Sequence, residues 1–132
     1  MVTKTFLPAL ALLGATAFAA DQKVDFSKIP AASSRSDVTY AKDIKPIFEK
    51  SCFKCHGEEK QKGKLRLDSL EAVKKGGEDG DVVTPGDSKK SIIVQAVSGA
   101  LEDGMMPPED KGKPLTKDQI GLIRAWIDHG AK

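Results

Sequence analysis

Large aromatic side chains are scarce here: one tryptophan, one tyrosine and five phenylalanines among 132 residues. Length alone points to one domain, and so few large side chains leave it a thin core, which a buried cofactor would help to fill. Histidine and cysteine are scarcer, at two each. There is no second C-x-x-C, so a four-ligand structural zinc site lacks donors. Charge of one sign is not in excess. Lys and Arg number 21 against 19 Asp and Glu, a net +2, so no bulk electrostatic argument points to nucleic acid. No apolar run reaches the ~20 residues that span a bilayer.

The longest apolar stretch lies in MVTKTFLPALALLGATAFAAD, with Lys4 ahead of it and Ala17-Phe18-Ala19 at its end. A basic start, an apolar run of about a dozen residues and an A-x-A site make a secretory signal peptide, assigned to residues 1–19. The expectation is a periplasmic or otherwise exported protein with no stable membrane span after the signal is removed, in a compartment that permits disulfides.

Residues 20–37 are polar, with Pro, Ala and Ser clustered and no apolar period. They read as a flexible leader, and the folded domain as 38–132. Within it, Ile44, Ile47 and Phe48 stand at i, i+3, i+4, which predicts a helix with Asp43 as its N-cap and Pro46 in its first turn. It delivers its C-terminal end to Cys52. A short helix follows Ser69 and stops at Gly76-Gly77. A third is expected from Ser88 to Val97. The clearest follows Thr116-x-x-Gln119, a capping box, with Ile120, Ile123, Trp126 and Ile127 on one face and Gly130 as the stop. No segment makes a convincing strand. The predicted fold is all-α, short helices around something.

Both cysteines fall in CFKCH, Cys52 to His56, which fits C-x-x-C-H. Two thiols three positions apart can add across the two vinyl groups of a porphyrin, giving two thioether bonds. The histidine directly after them is then turned toward the iron as proximal ligand. The alternatives are weaker. Zinc would have three crowded donors. A thioredoxin-like pair sits at the start of a helix after a strand, whereas this motif follows a helix. A plain Cys52–Cys55 disulfide leaves His56 without a role.

A sixth ligand is available as methionine, whose thioether favours reduced iron. Met105 and Met106 lie side by side in GMMPPED, a loop off any helical face, where gap-filling of a core explains them poorly. Pro107 and Pro108 stiffen that loop, and Met106 is favoured over Met105. Arg66, between two leucines, fits either a haem propionate or an ordinary solvated surface. His129 reads as a surface residue at a helix C-terminus, with bis-His ligation as the minor alternative.

The segments FEKSCFKCHG, GKLRLDSLEAVKKGG, VVTPGDSKKSIIVQAV and MMPPEDKGKPLTKDQIGLIRAWIDHGAK together resemble the planctomycete-type cytochrome c domain, from about Tyr40 to Ala131. The resemblance implies a small class I cytochrome c-like fold around one covalently attached haem c, and its M-P-P falls on Met106-Pro107-Pro108. The expected function is that of an exported monohaem one-electron carrier, not an enzyme, with haem on Cys52 and Cys55 and His56/Met106 ligation, serving redox partner proteins. The other readings are an open-site haem protein that binds small ligands or peroxide, and a dithiol protein without haem. Charge is uneven along the chain. Lys42 to Lys75 holds ten basic and six acidic residues, +4, and Glu78 to Asp110 two basic and eight acidic, −6. Such a dipole can orient a carrier, or is two solvated faces that cancel.

Overall fold

A computed structural model describes residues 22–132. The signal-peptide assignment lies outside them. The described residues form four α-helices: α1 (Lys45–Ser51), α2 (Leu70–Lys75), α3 (Ile92–Val97) and α4 (Lys117–Asp128). Extended pairing among them is limited to three isolated bridges, so the all-α expectation holds. None of these helices is long and apolar enough to cross a membrane.

α1 buries Ile47 and Phe48 with Ile44 just before it, the expected stripe. Its start differs from the sequence reading. The turn Tyr40–Ile44 precedes it as a π-helical turn capped by Thr39, which accepts from the Lys42 N–H. Asp43 is not the N-cap. Its carboxylate folds back to accept from the Thr39 N–H at 3.0 Å, so Thr39 and Asp43 satisfy each other's end of the turn. α2 is capped by Ser69 and α4 by the full Thr116/Gln119 box, both as expected. α3 begins four residues later than Ser88. Ser88 is instead bound to Asp128 through its N–H and hydroxyl. Ser91 donates to the Asp87 carbonyl and accepts from the Thr84 N–H. These side chains hold a turn that competes with helix.

Three of the scarce aromatics meet in one place. Tyr40, Phe48 and Trp126 form a triangle with ring centroids 5.9 to 6.4 Å apart, which joins α1 to α4. Trp126 donates to the Lys132 carbonyl at 3.0 Å, and Tyr40 donates its hydroxyl to the Leu67 carbonyl at 2.7 Å. Burial, aided by the Asp68 charge, pushes the Tyr40 phenol from about 10 up to about 12. The protonated form is therefore favoured by folding. Its contribution is full below pH 10 and is lost as pH rises through about 12. Denaturant midpoints between pH 8 and 12 are expected to fall more steeply for the wild type than for Tyr40→Phe; equal slopes would contradict this.

Residues 22–37, read as a flexible leader, run along the domain instead. Ile29 is buried, and the Ser33 N–H donates to the Gly121 carbonyl at 2.9 Å. Arg124 on α4 reaches both the Pro30 carbonyl and Ser88. A Cβ at Gly121 would lie 3.0 Å from the Ala31 carbonyl oxygen, so this glycine inside α4 marks where another backbone crosses.

Candidate functional site

Cys52 is the C-cap of α1 and donates its N–H to the Phe48 carbonyl at 2.7 Å. The next turn is closed by Cys55 and His56, whose N–H groups both donate to the Cys52 carbonyl, at 3.1 and 2.9 Å. This compact turn places both thiols and the imidazole along one cavity of about 380 Å³, within the range of small-molecule and cofactor sites. Gly57 ends the turn. A Cβ there would fall 2.4 Å from the Phe53 carbonyl oxygen, which leaves no room for a side chain.

The turn is gripped from the following loop. The Lys62 N–H donates to the Cys55 carbonyl at 2.9 Å, and the Leu67 N–H to the His56 carbonyl at 2.8 Å. The His56 ring meets the Leu65 carbonyl through Nδ1 at 3.3 Å. A carbonyl only accepts, so Nδ1 carries the proton and the neutral ring keeps its lone pair on Nε2. Both cysteines are free thiols and half-buried. Burial, with Cys55 beside it, pushes the Cys52 thiol up to about 12, so it is a neutral thiol at pH 7 rather than a thiolate. Among the described residues no three His, Cys, Asp or Glu side chains converge on a metal-sized site.

The cavity is walled mainly by apolar side chains: Leu65 and Leu67 from the loop, Ile92, Ile93, Ala96 and Val97 from α3, then Leu101. The loop after α3 adds Met106, Pro107 and Pro108. Met105 is not on the cavity. Its sulfur lies 3.4 Å from where a Cβ of Gly99 would be. The two adjacent methionines are thus separated by the fold. The Met106 N–H donates to the Ala96 carbonyl at 3.1 Å, which ties the loop to α3.

Arg66 does not line the cavity. Its guanidinium forks onto Asp68, with Nε donating at 3.0 Å, and holds that carboxyl below its ordinary range. His129 is exposed, lies off the cavity and directs Nδ1 to the Ala125 carbonyl at 2.7 Å. Sequence reasoning passed over the apolar face of α3 and Leu101. The signal available was the run Ile92-Ile93-Val94 before Ala96-Val97, which is apolar on more sides than one packed face needs.

An apolar cavity bordered by two thiols, an imidazole with a free Nε2 and a thioether suits a porphyrin carried by two thioether links, and it sits among short helices. That is the donor set of the c-type cytochromes. Comparison with known families agrees: residues 52–110 match the family described as Planctomycete cytochrome C. The match begins at Cys52 and stops before α4, so the leader, α1 and α4 lie outside it. No curated protein and no solved structure matches the chain.

Proposed function

We propose that the chain is an exported carrier of one electron, with a single haem c linked to Cys52 and Cys55 and ligated by His56 and Met106. The observation that carries this reading is that these four side chains border one apolar cavity. The bound group would supply the redox chemistry, an iron that gains and loses one electron. The chain's residues do the rest. The Leu65 carbonyl orients the His56 ring and fixes its tautomer. The α3 face keeps water from the cavity, and a soft Met106 thioether favours the reduced state. The basic stretch with the attachment motif and the acidic stretch with the methionine loop would orient redox partner proteins.

The test is a pyridine haemochrome assay on protein exported together with c-haem maturation machinery. One covalently held haem per chain is the expected result, and Cys52→Ala with Cys55→Ala should abolish it. Absence of covalent haem would overturn the reading and turn attention to a dithiol couple. Haem that takes up carbon monoxide without delay would favour the open-site reading instead.

A further inference from the structure

We infer that residues 22–25 form a strap that holds the Met106 loop closed on the cavity, and so governs how readily the methionine leaves. The inference rests on the ligation proposed above. The segment from Ala100 to Asp103 leads directly into that loop, and Leu101 lines the cavity. Its backbone is held from the leader. The Asp25 N–H donates to the Ala100 carbonyl at 2.7 Å, Val24 pairs antiparallel with Leu101, and Gln22 Nε2 donates to the Asp103 carbonyl at 2.9 Å. Val24 also packs against the core.

The strap has a fixed far end. Asp25 caps the turn Phe26–Lys28 through the Ser27 N–H. Beyond it Ile29 is buried, and the backbone is fastened to α4 at Pro30 and Ser33 by Arg124 and Gly121. Among the described residues, the segment from Ala100 to Met106 has two other outward backbone bonds, both to α3: Ala100 N–H to the Gln95 carbonyl at its start and Met106 N–H to the Ala96 carbonyl at its loop end. The loop is therefore suspended between α3 and the strap. Loosening the strap frees one of its two supports and leaves the thioether and imidazole attachments untouched.

The test uses the full-length holoprotein and two readouts: the weak far-red band of a ferric iron–methionine bond, and the rate at which cyanide binds the ferric form, which requires Met106 to leave. Asp25→Pro removes the donor to Ala100. The native φ of −91° is near the proline range, and Val24 is already extended. Asp25→Ala keeps that donor and loses only the cap. Gln22→Ala removes the bond to Asp103. Cyanide binding is expected to quicken about tenfold in Asp25→Pro and about two- to threefold in Gln22→Ala, the worth of one hydrogen bond and of an exposed one. Asp25→Ala should match the wild type.

A folded Asp25→Pro protein with the wild-type rate would overturn the inference, as would Asp25→Ala matching Asp25→Pro. Should Asp25→Pro fail to fold, Gln22→Ala decides, and a wild-type rate there overturns it. A wild type with covalent haem but no far-red band would defeat the ligand assignment itself. That failure is seen before any variant is made, so the two are told apart.

Discussion

Met106→Ala is expected to abolish the far-red iron–methionine band and to lower the reduction potential by on the order of 0.1 V or more, within the ~0.8 V over which axial ligands tune haem. Met105→Ala should leave both nearly unchanged. The two residues are chemically identical neighbours, so only their placement separates them. Met106 borders the cavity and has its backbone tied to Ala96. Met105 has its sulfur at Gly99. For Met105 to replace its neighbour, the loop would have to break the Met106–Ala96 bond and lift Met105 away from Gly99. Pro107 and Pro108 restrict that rearrangement. Carbon monoxide and cyanide should therefore bind Met106→Ala quickly. The opposite pattern, with the band lost in Met105→Ala alone, would reassign the ligand. An unchanged band in both single variants would show that either methionine can serve as the ligand.

Trp126→Ala is expected to destabilise the domain by about 3–5 kcal/mol, a large part of the 5–15 kcal/mol typical of a whole domain. The chain has one tryptophan, and it is 1% exposed. Removing it takes away one corner of the Tyr40–Phe48–Trp126 triangle and leaves the Lys132 carbonyl without its indole donor. Guanidinium unfolding followed by far-UV circular dichroism should show a much lower midpoint. Trp126→Phe keeps much of the volume and should lose less. Phe26, 51% exposed, is the contrast: Phe26→Ser should move the midpoint by no more than about 0.5 kcal/mol in equivalent stability. A Trp126→Ala effect as small as that would mean that the aromatic triangle does not join the helices.

The parts of this structure that were legible in the sequence share a property: they are written in residue types at short spacing. C-x-x-C-H, the Thr116/Gln119 box and the stripe at Ile44, Ile47 and Phe48 all lie within about one or two helical turns. The leader escaped because its attachments are mostly backbone to backbone, as at Asp25–Ala100 and Ser33–Gly121, and any residue but proline can donate such a bond. Its one mark was Gly121, a glycine in the middle of an otherwise regular helix. The cap at Thr39 was missed because Asp43 and Thr39 are both good capping residues. Which of them begins the turn depends on the π-helical turn between them. The late start of α3 hangs on Asp128, forty residues from Ser88, a contact that no local pattern encodes. Arg66 has a carboxylate partner two residues away in Asp68, a pairing as legible in the sequence as any other.

The grip on His56 bears on speed. An electron hop between two proteins is slowed by every atom that must shift when charge moves, so a carrier gains from surroundings that look the same in both oxidation states. The imidazole is steered by the Leu65 carbonyl. Its backbone is clasped by Leu67, and the turn ahead of it by Lys62. Dipoles set in place by folding need little rearrangement at the moment of transfer. In the proposed carrier these fixed contacts would keep the reorganisation energy on the histidine side low.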